Sequence, residues 1–253
     1  MCDSHLFVMT EPDSLAQLHA SLRYFREYRR SLQAERVKRP RRVLLTCEER
    51  SGVLAKTIAR RTNAMIAPTL PYGITGSMEA YPGAFQITES AYRPFIKQIL
   101  EGLAKNGFKN IIILNGHGGG QTAVLQSVAA EVSAEKHVRT LVINWWSFAS
   151  DETKEVFGED GGHAGLNETA FIQAIDATLV HPEKYTGADM TTPYPAPGTW
   201  SATPFPSSVG LYQKGQGFPK FDQAKADLYY KKVTDKVANL IIDIVKKWDM
   251  AGL

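Results

Sequence analysis

The chain has 253 residues, enough for one α/β domain with a sizeable core. Hydrophobic residues make up 43% and charged residues 22%, a globular balance that argues against a fibrous or largely disordered chain. The net charge of +3 is uneven: residues 23–42 carry nine Arg or Lys against Glu27 and Glu35, and the remainder is mildly acidic.

In chain order, the opening Met1-Cys2-Asp3-Ser4-His5 lacks the basic-then-apolar layout of a signal peptide. Cys2 and Cys47 are too few for a disulfide framework, and no apolar run reaches the roughly 20 residues that span a bilayer. A cytoplasmic protein without membrane contact is expected. Leu15, Leu18, Leu22, Phe25 and Leu32 recur at helical spacing, which predicts an amphipathic helix over 14–36. The basic stretch 23–42 overlaps it. It lacks the stacking aromatics, zinc ligands or glycine loop of a nucleic-acid module, so it reads first as a solvated helix face. A single domain over 1–253 is expected, with 1–50 as an atypical basic segment.

Strands are predicted at 41–46 and 64–67, with a helix at 51–61 between them. Residues 69–83 are rich in Gly and Pro and read as a loop. A helix over 89–106 ends at Asn106-Gly107, a natural C-cap pair. Ile111-Ile112-Ile113-Leu114 has no polar alternation, so it fits a strand buried on both faces of a parallel sheet. A further helix begins near Gln121, and the next strand is expected over 137–145. Helices are predicted over 163–175 and 222–248. The intervening 186–220 reads as a long loop without periodicity. Its Tyr194, Trp200, Phe205 and Tyr212 are too apolar for a free loop, so a homo-oligomer contact is expected there. Strands alternating with helices imply a three-layer α/β/α sandwich around a mostly parallel sheet.

Ligands of open α/β sheets bind at the carboxyl ends of the strands. Asn115-Gly116-His117-Gly118-Gly119-Gly120 holds that position, directly after the most apolar strand. Gly118 and Gly119 let the backbone approach a substrate closely. An esterase would need a G-x-S-x-G elbow, and a phosphate loop would need Lys-Ser/Thr after the glycines. Neither is present. A second cluster, His163-Ala164-Gly165-Leu166-Asn167-Glu168-Thr169, places a histidine and a carboxylate at a helix entrance. That suits metal ligation or proton transfer.

Together these segments resemble the creatininase (creatinine amidohydrolase) family. The match is carried by Leu70-Pro71-Tyr72-Gly73, Tyr81-Pro82-Gly83, Asn115 to Gly119, His163-Ala164-Gly165 with Glu168-Thr169, and Gly217-Phe218-Pro219. It covers roughly residues 52–253. The resemblance implies an α/β/α sandwich assembled as a hexamer. It also implies a two-metal site, with zinc, manganese or iron, that hydrolyses a cyclic amide or related C–N bond of a small molecule. His117 corresponds to a metal ligand. His163 and Glu168 correspond to catalytic residues beside the metals, Glu168 also as a ligand. Trp145 and Trp146 fall where some members place a substrate-facing Trp.

The family's first ligand motif is missing or altered. Its strand, here Val43 to Cys47, runs straight into Glu48-Glu49-Arg50-Ser51, where most of a Glu- and His-bearing loop is expected. Glu48 or Glu49 can stand in for one lost carboxylate. Ser77-Met78 replaces the usual Glu-His, and Gly120 the usual Asn. Three readings stay open: a metal-dependent amidohydrolase with a modified site, a non-catalytic relative with an incomplete metal site, and an anion- or nucleic-acid-binding protein using residues 23–42.

Overall fold

The structure is a computed structural model that describes residues 42–46, 49–82, 84–196 and 198–253. The expected helix over 14–36, the basic stretch up to Arg41, and Glu48 lie outside the described residues. Among those described, no helix is long and apolar enough to cross a membrane.

Four strands form a parallel sheet: β1 (Arg42–Thr46), β2 (Met65–Ile66), β3 (Asn110–Asn115) and β4 (Arg139–Asn144). Their order is β2-β1-β3-β4, so β3 is flanked on both edges. Ile111 to Leu114 are fully buried, as their unbroken apolar run requires. Arg42, the one described residue of the basic segment, lies in β1. Its guanidinium donates to the Thr62 carbonyl at 2.8 Å, so this charge fastens the first helix to β1.

Alternate side chains of β1 and β3 enter two separate cores. Val43, Leu45, Ile111 and Ile113 meet α2 (Glu89–Lys105) and α3 (Gly120–Lys136). Leu44, Ile112 and Leu114 meet α1 (Glu49–Thr62) together with two later helices. Each helix buries one stripe: Tyr92, Ile96 and Leu100 recur every fourth residue on α2, and Leu54, Ala55 and Ile58 line α1. The α/β/α sandwich is thus built from helix-periodic stripes laid on a strand-periodic sheet.

Beyond β4 the chain departs from the expected pattern. His137 caps α3 in the left-handed conformation (φ 52°), so the strand starts at Arg139. Trp145 leaves the strand and opens α4 (Trp145–Phe148). This is followed by α5 (Ser150–Phe157), which Gly158 ends at φ 80°. His163 is not helical. It lies in β5 (Gly162–His163), and α6 (Leu166–Ile175) begins only after Gly165. Residues 186–220 are not one loop. They contribute β6 (Thr191–Pro193) and β7 (Val209–Leu211) to a second sheet of order β5-β7-β6. These strands are three residues or fewer, too short for an alternation to show. The last helix, α7 (Gln223–Met250), is capped by Asp222, whose carboxylate accepts from the Lys225 N–H at 3.0 Å. It covers α1, α5 and α6 with Tyr229, Val233, Val237 and Ile241.

Truncating Ile112 leaves a void beneath α7 that its neighbours cannot fill. Ile112→Ala is expected to cost about 2–5 kcal/mol. The check is the denaturant midpoint, with an unchanged slope.

Candidate functional site

The carboxyl end of β3 is held by a buried amide cluster. Asn115 Nδ2 donates to the Asn144 side-chain oxygen at 2.8 Å and to the His117 carbonyl at 2.7 Å. Its Oδ1 accepts from the His117 N–H at 3.2 Å and from Gln121 Nε2 at 3.0 Å. Gln121 Oε1 in turn accepts from the Ile74 N–H at 3.1 Å. One amide therefore satisfies both ends of the glycine turn, and the second ties the 69–83 loop to it. Gly73 has no side chain because a Cβ there would lie 1.9 Å from Gln121 Oε1. Gly119 adopts φ 64°, ψ −147°, a conformation essentially reserved for glycine. His117 is half-buried on this turn.

The second cluster is built around Glu168 in the first turn of α6. Its Oε2 accepts from the Ala164 N–H at 2.8 Å and lies 4.0 Å from His163 Nδ1. The Thr169 hydroxyl donates to the Ala164 carbonyl at 3.2 Å. Ala164 itself holds φ 51°, a left-handed backbone costing about 1–2 kcal/mol for a residue with a Cβ. The carboxylate and hydroxyl offset that cost and aim the His163–Ala164 peptide at the helix entrance. Asn167, also buried, accepts from the Gly162 N–H at 3.0 Å.

The two tryptophans stand between these segments and play different parts. Trp145 is 1% exposed and stacks on Phe171 at 4.5 Å, so it is a core residue. Phe171 lies one turn beyond Glu168 on α6. Trp146 is half-buried, edge-on to Trp145, and its Cζ2 would lie 3.5 Å from a Cβ on Gly118. Trp146 thus faces the glycine turn, and Trp145 anchors it to the Glu168 helix.

Three phenols register the Glu168 charge. Burial, reinforced by Glu168, pushes Tyr194 up to about 12 and raises Tyr212 and Tyr229 above their ordinary value. Sequence reasoning did not place Tyr194 near His163, because β6 and β7 carry no legible pattern. It also missed the Gln121 amide, although a polar residue buried just after a glycine turn is a readable sign.

Metal ligation finds less support. Among the described residues no group of three or more His, Cys, Asp or Glu is gathered to hold an ion. Glu49 is the first residue of α1. His163 and Glu168 form a pair, and Glu168 Oε2 already takes a backbone N–H. The described donors do not fit a two-metal centre, which needs about four ligands per ion.

A family model described as Creatininase: Creatinine amidohydrolase matches residues 50–241. The chain is 22% identical over 178 residues to a creatinine amidohydrolase of Pseudomonas putida, spanning 59% of this chain and 68% of that protein. It is 26% identical over 140 residues to a 3-dehydro-scyllo-inosose hydrolase of Thermotoga maritima, spanning 51% and 44%. Among solved structures, a mutant creatininase superposes with a TM-score of 0.68 at 16% identity, covering 87% of this chain and 95% of that one. A manganese creatininase gives 0.65 with the same identity and coverage.

Beside the site, Glu159 accepts from the Gly217 N–H at 2.8 Å and pairs with Lys220 at 2.7 Å. Burial opposes its charge, but the Lys220 ammonium and the Gly217 N–H outweigh it and hold the carboxyl below its ordinary value. The stability it supplies is complete above the unfolded value of 4.5 and is lost as pH falls through the lower folded value. Glu159→Gln is therefore expected to lower the melting temperature at pH 7. The gap from the parent protein should close towards pH 3, as thermal scans at both pH values will show.

Proposed function

The chain belongs to the creatininase family, and we propose that it hydrolyses a cyclic amide or related C–N bond of a small molecule. The observation that carries this reading is the His163–Glu168 pair. Its carboxylate is fixed by the Ala164 N–H, and its imidazole stands 4.0 Å away, half-buried at the mouth of α6. A carboxylate near an imidazole supports the imidazolium that forms when the ring accepts a proton. His163 then takes a proton from water at the attack step and returns it to the leaving nitrogen. Glu168, 4.0 Å from the ring, supplies the negative charge that favours the imidazolium between the two transfers. The glycine turn supplies backbone close to the substrate, and Trp146 closes its side.

The solved relatives named above include a manganese creatininase, and a divalent ion would supply a polarised carbonyl and an acidic water. The described donors do not gather for one. The proton chemistry above is therefore assigned to His163 and Glu168 alone. His117 and the carboxylates Glu48 and Glu49 are the positions to watch for metal. The long 186–220 segment, with Trp200 and Tyr212 about half exposed, supports assembly into a homo-oligomer.

A second reading has its own observation. Glu168 is also a helix-entrance cap, so the fold can persist as a non-catalytic relative with an incomplete metal site. The two are separated by assaying creatinine hydrolysis with and without chelation, alongside metal analysis of the purified chain. On the hydrolase reading, His163→Ala lowers kcat by roughly 100-fold or more, the usual scale for a proton-transfer group. Glu168→Gln keeps the fold while losing most activity. A chain that hydrolyses no cyclic amide, with or without added zinc or manganese, is the non-catalytic relative.

A further inference from the structure

The small sheet brings a third side chain to the His163–Glu168 pair. In β5 and β7, which run antiparallel, His163 stands directly opposite Gly210. Residues so paired project to the same face of a sheet. The place of the missing Gly210 side chain is taken by the Tyr194 ring. A Cβ on Gly210 would lie 2.6 Å from Tyr194 Cζ and 2.8 Å from its hydroxyl. The phenol therefore lies across β7 on the face that carries His163. With cross-strand Cβ atoms about 4.5–5.5 Å apart, its hydroxyl is within about 8 Å of the His163 Cβ.

The ring is held there from several sides. The Tyr194 N–H donates to the Leu211 carbonyl at 2.8 Å, extending the β6–β7 ladder. The ring stacks on Phe205 at 5.3 Å, and Phe205 stacks on Trp200 at 6.2 Å with the planes only 9° apart. The Phe205 carbonyl accepts from the Tyr81 hydroxyl at 2.7 Å, which ties the stack to the 69–83 loop. Tyr194 nonetheless remains 38% exposed, so a ligand can reach it.

We propose that Tyr194 is a substrate-contacting residue of this site, whose hydroxyl donates a hydrogen bond to the carbonyl oxygen of an amide bound against His163 and Glu168. A carbonyl oxygen only accepts, so its partner must keep its proton. The burial that drives the phenol up to about 12 keeps it a donor throughout the physiological range. Gly210 is then a specificity position as well, because any side chain there displaces the ring. This inference rests on the hydrolase reading above.

The test compares the full chain with Tyr194→Phe, Tyr194→Ala and Gly210→Val. Binding of creatinine, hydantoin and succinimide is measured by calorimetry, and their hydrolysis by rate assay. Tyr194→Phe retains the ring and its stack, so it should fold as the parent does. It is expected to bind a recognised probe roughly 3- to 10-fold more weakly, the loss of one neutral hydrogen bond. Gly210→Val should match Tyr194→Ala rather than the parent. Equal affinity and turnover of the parent and Tyr194→Phe for a probe both recognise overturns the inference and leaves the hydrolase reading standing. A parent chain that neither binds nor hydrolyses any of the three overturns both, and the parent trace alone tells the two failures apart.

Discussion

Ile111 to Leu114 leave no face of β3 for water, and that constraint sets the rest of the molecule. A strand buried on both sides needs helices on both sides. A parallel neighbour can be reached only by a crossover, so each flanking strand arrives with its helix. The two cores that result are separate, one under α2 and α3 and one under α1, α6 and α7. The chain can stop being apolar only at the end of β3, at Asn115. There, polar backbone leaves the sheet with no further strand to satisfy it.

The amide cluster answers that problem. Asn115 and Gln121 are almost completely buried, yet the hydrogen bonds described satisfy the turn, the neighbouring strand end and the 69–83 loop. A buried amide network of this kind is rigid because leaving any member unpaired costs about 1–3 kcal/mol. His117 is therefore presented from a turn with little freedom to move. The same logic operates at the second cluster, where Asn167 and Glu168 satisfy the N–H groups of Gly162 and Ala164.

The parallel sheet and its helices were legible because their signals are long. Seventeen residues of α2 repeat a stripe several times over, and the β3 run admits one interpretation. The motifs around His117 and around His163 and Glu168 were legible as chemistry because their residue types are unusual at an element's edge. What was not legible is local conformation settled by distant partners. His163 is extended because Gly162 and Gly210 allow β5 and β7 to come together, and that pairing spans nearly fifty positions of sequence. Tyr194 and Trp200 read as a sticky loop, whereas the structure makes them part of a stack centred on Phe205. Trp145 and Trp146 are adjacent in sequence, and only burial separates the core member from the one beside the turn.

The departure at the first ligand motif gains a physical reading from Glu168. In a site crowded with cations, a carboxylate is held mainly by the metal. Here the same oxygen is held by a backbone N–H of a residue in the left-handed region. That bond keeps the carboxylate oriented whether or not an ion is bound, and it keeps His163 in extended backbone against β7. Orientation of the pair is therefore a property of the fold. Burial, with the Glu168 charge added, raises the Tyr194, Tyr212 and Tyr229 phenols above their ordinary value, so all three stay neutral. The acidic and imidazole groups that a metal ion requires are not gathered around Glu168 among the described residues.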